Sequence, residues 1–276
     1  MNRRTIGFMM IGWLIVAGLS PCAGESSQAV SSSFTLQLSG SGRGYQKTFR
    51  QAAQWYRESN WERAAQAFAQ SAQQASNSQS RWEALFYEAE CLVQQGDYGQ
   101  AHSHYGAMVG ETSIEPLKVR SRLPQPQLRQ AQLRQVQFRL GETAWLAGYG
   151  GQAEIALQQF IQQYPDDSHT ARALLYLGDL AIAENHQRQA AGYYRRILEQ
   201  SPDSSQVVAA RLGLGQVLLA QGEPERAMAV VEPLTTVPEG PGEAWLLLAQ
   251  AYYRQGKFED ALTKIRELPT HFEQDD

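Results

Sequence analysis

A 37-residue step runs through this chain and constrains its fold more than any other feature. Leu-Gly pairs stand at 140–141, 177–178 and 214–215, each 37 residues after the last. Alanines at 64 and 101, and again at 153, 190 and 227, keep the same step, and Ala261 follows 34 residues later. The gap from Ala101 to Ala153 is 52 residues, one period plus 15. A unit that recurs at this spacing is too small to bury its own apolar face, so it stacks on its neighbours.

The surroundings of the alanines recur as well. Four residues after them come Phe68, Tyr105, Leu157, Tyr194, Val231 and Ile265; nine before them come Trp55, Leu92, Ala144, Ala181, Leu218 and Tyr252. Between the two lie Gly96-Asp97, Gly148, Asn185, Gly222 and Gly256, residues suited to the positive φ that ends a helix. Each unit thus reads helix, short turn, helix, with the small alanine allowing the second helix to approach the first. Pro165, Asp166, Asp167 and Ser168 supply capping residues before a helix expected to begin near Thr170.

These residues resemble the tetratricopeptide repeat. Trp245, Leu248, Ala249, Tyr252, Gly256, Phe258 and Ala261 follow its signature, and Pro165 and Pro202 match its closing proline. The resemblance implies an all-α, right-handed superhelical solenoid of about six units, with units 1–2 over 45–113 and units 3–6 over 134–276. Its 37-residue step and YPD-type junctions are also similar to repeats of bacterial envelope proteins, namely the Tol–Pal-associated cell-division coordinator and the outer-membrane assembly lipoproteins. It therefore implies a protein-binding scaffold of the periplasm or cell envelope.

In such a solenoid the first helices line a concave groove. Carried onto this sequence, position 5 of the units holds Phe49, Phe86, Phe138, Leu175, Leu212 and Leu246. Position 9 holds Ala53, Glu90, Glu142, Asp179, Gln216 and Gln250, and position 12 holds Tyr56, Val93, Trp145, Ile182, Leu219 and Tyr253. The expected groove is an apolar stripe with an acidic middle. Its candidate contacts are Phe86, Glu90, Phe138, Glu142, Trp145, Asp179, Ile182 and Tyr253, and a hydrophobic segment carrying a basic residue would suit it. Packing of the apolar members between helices is the other reading of the same stripe.

The segment 114–133 interrupts the repeat. Lys118, Arg120, Arg122, Arg129 and Arg134 follow Pro116 with no acid among them, and Pro124 and Pro126 break the chain. "QLRQAQLRQVQF" then extends the first helix of unit 3. The cluster is either a basic patch for an anionic partner or a solvated loop. The last unit has no polar closing helix, so the face carrying Ala261, Leu262, Ile265 and Leu268 is a candidate for pairing with a second copy or a partner.

The N-terminus reads as an address. Arg3 and Arg4 precede an apolar run from Ile6 to Leu19, short of the ~20 residues that cross a bilayer, and Ser20 to Gly24 resemble a signal-peptidase site. Residues 1–24 are expected to be a signal peptide, with an uncleaved anchor as the alternative. Leu19-Ser20-Pro21-Cys22 also resembles a lipoprotein box, apart from Pro21, which makes Cys22 a lipidation candidate and the one expected route to a membrane. Residues 25–44 form a Ser/Gly-rich linker.

The net charge of −4 argues against nucleic acid as a partner. No H-E-x-x-H, G-x-S-x-G or phosphate-loop string occurs. His102 and His104 stand two apart on an expected helix and point to different faces, and Cys91 falls inside a first helix as a small apolar residue. No catalytic residue, metal or cofactor is expected; an accessory subunit of an envelope enzyme complex, or a wall- or membrane-associated structural protein, are the alternatives to a scaffold.

Overall fold

The computed structural model describes residues 42–114, 126–236 and 240–268. Among them are twelve α-helices and no strand: α1 (Arg43–Arg57), α2 (Trp61–Gln74), α3 (Ser78–Gln95), α4 (Tyr98–Ile114), α5 (Pro126–Leu146), α6 (Gly150–Gln163), α7 (Thr170–Ala183), α8 (Gln187–Gln200), α9 (Val207–Ala220), α10 (Pro224–Val231), α11 (Gly242–Arg254) and α12 (Phe258–Arg266). Consecutive helices pack as antiparallel neighbours, and first helices also meet across units, α5 on α7, α7 on α9 and α9 on α11. The result is the expected all-α solenoid of six helix pairs.

All six pairs turn in the same way. A residue with positive φ stands at Ser59, Gly96, Gly148, Asn185, Gly222 and Gly256, each five residues before the register alanine. The residue after it donates its N–H back five positions, as from Asp97 to Leu92 (2.9 Å), His186 to Ala181 (2.7 Å) and Lys257 to Tyr252 (3.0 Å). This is the Schellman closure, which satisfies carbonyls that the ending helix leaves open. The same residue opens the second helix: Asn60 Oδ1 accepts from the Arg63 N–H and Asp97 Oδ1 from that of Gln100. Before α7, Asp167 closes the preceding turn, its Oδ1 accepting the N–H of His169 at 2.9 Å.

Behind each turn the register alanines are buried. Phe68, Tyr105, Leu157, Tyr194 and Val231, four residues on, are buried as well, but Ile265 at the last step is 50% exposed. Gly141, Gly178 and Gly215 make room for these side chains: a Cβ at Gly178 would stand 2.4 Å from Tyr194 Cε1, and one at Gly215 2.4 Å from Val231 Cγ2. Pro233 breaks α10 early, and a 3-10 turn (Glu232–Thr235) replaces its last turn.

The buried side chains form two clusters. One spans α1 to the middle of α5 and ends with Val136; the other begins at Phe138 on α5 and continues to Ala251 on α11, with Leu268 packed against it. Helix α5, 21 residues long, therefore contributes to both cores. It includes residues 126–133 of the interrupting segment; 115–125, with Lys118, Arg120 and Arg122, lie outside the described residues, as does Cys22.

Candidate protein-interaction surface

The first helices carry both the candidate surface and most of a buried polar network. Glu90 on α3 is 1% exposed, a burial that leaves a carboxylate unstable unless it is hydrogen-bonded and paired. Two groups meet it: the Tyr105 hydroxyl donates to Oε1 at 2.6 Å, and Arg139 Nη2 to Oε2 at 2.8 Å. The other arm of Arg139 donates to Glu142 Oε2 at 2.5 Å. Glu142, also buried, accepts from Tyr176 at 3.0 Å and has Arg172 at 3.8 Å. Burial alone would lower the Arg139 pKa, but the two carboxylates outweigh it and hold the guanidinium well above its ordinary value.

A spacing rule underlies this network. Tyr105 lies 15 residues after Glu90, and Tyr194 donates to Asp179 Oδ1 at 2.7 Å across the same 15 residues. Position 9 is thus acidic where a tyrosine follows 15 residues later, whereas Ala53, Gln216 and Gln250 are followed at that distance by Phe68, Val231 and Ile265. Unit 3 breaks the rule, because Leu157 stands where Glu142 needs a donor; Arg139 and Tyr176 fill that role. Asp179 lacks a cation, and burial pushes its pKa up to about 6 against the opposing pull of the Tyr194 hydrogen bond.

The expected groove changes accordingly. Glu90 and Glu142 do not present an acidic middle to a partner, since burial and Arg139 neutralise them within the array. Phe86 and Phe138 are core: Phe86 stacks on Trp82 and meets Tyr105, and Phe138 packs on Phe160 and His169. Position 5 is buried in the first four units, as where Tyr87 of the following unit packs on Phe49, whereas Leu212 is half-buried and Leu246 exposed. Position 12 is different. Trp145 is half-buried and stacked on Tyr176 (4.4 Å between centroids), Ile182 is exposed, and Tyr253 is 66% exposed against Phe258. Leu219 is the buried member of that series.

Sequence reasoning missed Tyr176, and it read Tyr105 and Tyr194 as filling residues without their hydrogen bonds to the acids, for which the 15-residue relation was the available signal. Of the basic cluster, the described residues include Arg129, on α5, and Arg134, whose guanidinium lies 3.6 Å from Asp167 and over the Tyr164 ring. His102 meets the Leu140 carbonyl and His104 lies near Glu88, so the two serve separate contacts. Among the described residues no helix is long and apolar enough to cross a membrane, and no His/Cys/Asp/Glu group could hold a metal ion.

The tetratricopeptide repeat family model matches residues 49–111 and 138–205, spans whose helix pairs share one turn and one alanine register. The chain is a tetratricopeptide repeat protein. A second model, anaphase-promoting complex, cyclosome, subunit 3, matches residues 183–268 of the repeat array. No curated protein matches the sequence. Among solved structures, the tetratricopeptide protein is similar to MamA 41-end from Desulfovibrio magneticus RS-1, with 15% identity over 70% of this chain and 93% of that one and a TM-score of 0.54. Another crystal structure of MamA gives 18% identity, 65% and 91% coverage and a TM-score of 0.51. TPR-like repeats from Podospora anserina give 16%, 68% and 92%, and 0.51. At these identities the likeness is one of fold.

Proposed function

We propose that this tetratricopeptide protein is a scaffold that takes an apolar segment of a partner protein across the first helices of units 3–6. Proteins of this fold typically bind other proteins and do no chemistry of their own. One observation carries the finer reading: position 12 leaves Trp145, Ile182 and Tyr253 accessible on first helices that stand side by side, with Leu246 exposed on the last of them. Aromatic and aliphatic anchors of this kind carry most of the energy of an interface. Because Glu90 and Glu142 are neutralised internally by Arg139, apolar contact rather than charge selects the partner.

Photo-crosslinking from position 253 or 182 in the producing cells tests this. One protein captured from both positions, and lost in a folded Trp145→Arg variant, supports the reading; capture that ignores the substitution removes it. Export is part of the proposal, supported by Arg3-Arg4 and the run Ile6–Leu19, and N-terminal sequencing of the mature chain checks it together with the fate of Cys22. Self-association through α12 is a second reading, supported by the exposed Phe258, Leu262 and Ile265. Light scattering that finds a dimer in the wild type and a monomer in Ile265→Asp would establish it.

A further inference from the structure

Helix α1 carries a strongly charged face that the scaffold reading does not use. Arg43, Lys47, Arg50 and Arg57 fall within an arc of about 80° at 3.6 residues per turn, and the stripe runs about 21 Å along the axis. All four are exposed. The opposite side of the helix, Tyr45, Phe49 and Ala52, is buried in the first core. Among the described residues none of the four cations forms an ion pair. The nearest acids in sequence are Glu58, which accepts from Gln54 at the helix end, and Glu62 on α2.

We propose that the outer face of α1 rests on a layer of anionic lipid headgroups. Three observations favour that occupant. Arg43, Lys47, Arg50 and Arg57 are interleaved only with exposed glutamines such as Gln51 and Gln54; a protein interface would call for an aromatic or aliphatic anchor, whereas a headgroup layer needs only positive charge. The apolar side of α1 is already occupied, so the helix lies on the headgroups and does not sink between the acyl chains. Finally, among the described residues α1 is the first helix after the run Ile6–Leu19 and Cys22, and twenty residues of sequence separate it from Cys22. Of all the described helices, α1 is therefore the one that an anchor at the N-terminus would hold closest to a membrane. Four cations bind weakly alone and effectively when tethered.

The test is co-sedimentation of the full chain with vesicles of phosphatidylcholine alone and of phosphatidylcholine with one quarter phosphatidylglycerol. The apolar run contributes equally on both, so the ratio of the two partition coefficients reports charge recognition. Each cation near an anionic surface is worth about fivefold. Lys47→Gln with Arg50→Gln is expected to lower the ratio about 25-fold while leaving the helical circular dichroism unchanged, and 0.5 M salt should have a similar effect in the wild type. Arg43→Gln with Arg57→Gln serves as the second pair if the first does not fold. Equal partition of the wild type on the two vesicles overturns the proposal. So does a preference that survives both pairs but is lost in Lys118→Gln/Arg120→Gln/Arg122→Gln, which would move the contact to the segment between α4 and α5. Binding to soluble polyglutamate without any vesicle preference also overturns it, and points to an acidic protein.

Discussion

The two cores fill the same repeat in different ways. The N-terminal one is built of rings, with Tyr45, Phe49, Phe68, Phe86, Tyr87 and Tyr105 in continuous edge and stacking contact. The C-terminal one rests mainly on aliphatic side chains such as Leu174, Leu177, Leu214, Leu218 and Ile197. Rings bring hydroxyls, and hydroxyls need partners: Tyr45 donates to the Ser80 carbonyl and Tyr105 to Glu90. The aliphatic half asks for less, and its units 3–5 close up on glycine at position 8 (Gly141, Gly178 and Gly215), where the first two units and the last have Ala52, Ala89 and Ala249. The difference teaches that the repeat prescribes spacing and turn geometry and leaves the filling free. A polar bridge on α5, centred on Arg139, joins the two solutions.

Breaking that bridge should have the largest effect. Arg139→Met strands Glu90 and Glu142 without their cation, and breaking a buried pair in this way costs about 3–5 kcal/mol. Urea unfolding of the variant at pH 7 should show that loss, with the two cores separating into distinct transitions. A variant as stable as wild type would mean that the cores do not depend on the bridge.

The next test acts on the closer-packed half alone. Gly178→Ala places a methyl carbon 2.4 Å from Tyr194 Cε1, and over-packing of this kind costs about 1–3 kcal/mol. The reverse exchange in the ring-built half, Ala89→Gly, should cost only about 1 kcal/mol, chiefly from helix propensity. Thermal unfolding of the two variants measures the contrast, and equal losses would remove it.

Most of this architecture was legible, because it depends on local residues at a fixed spacing. The alanine register located every helix pair, and five of the six positive-φ turns fell on Gly or Asn as read. Ser59 escaped because serine carries no such signal, although the 37-residue step back from Gly96 lands on it. The candidate surface was legible only in part. Trp145, Ile182 and Tyr253 keep exposure at position 12, whereas Phe86 and Phe138 lose it to neighbouring helices. The neutralised acids could not be read, since Arg139 reaches Glu90 across 49 residues of chain.

The two tyrosine–carboxylate pairs give a smaller and more selective comparison. Tyr105→Phe leaves Glu90 its Arg139 contact, so the loss should stay below about 1 kcal/mol; Tyr194→Phe leaves Asp179 with no other donor and should cost about 1.5–3 kcal/mol at neutral pH. The pH dependence separates them further. Asp179 already has a folded pKa of about 6, above its ordinary 3.8, so its contribution is most favourable below the unfolded value and is lost as pH rises toward 6. Removing the hydroxyl raises that pKa again. The deficit of Tyr194→Phe should therefore be slight at pH 4 and complete by pH 8, and Asp179→Asn should flatten the profile.

The smallest expected effect is a gain, and it concerns the turn that both halves share. Ser59 has φ of 57°, where its counterparts Gly96, Gly148, Gly222 and Gly256 stand near 75–79° without a Cβ. A side chain in this region costs roughly 1–2 kcal/mol relative to glycine, partly offset because glycine loses more entropy on folding. Ser59→Gly should thus stabilise the first pair by about 0.5–1 kcal/mol. Asn185→Gly should give less, because asparagine tolerates the left-handed region better than serine. If the ring-built half unfolds first, the Ser59 gain will raise the lower transition of the bridge-broken Arg139→Met variant and leave the upper one in place. A gain appearing in the upper transition would reverse the order of the two cores.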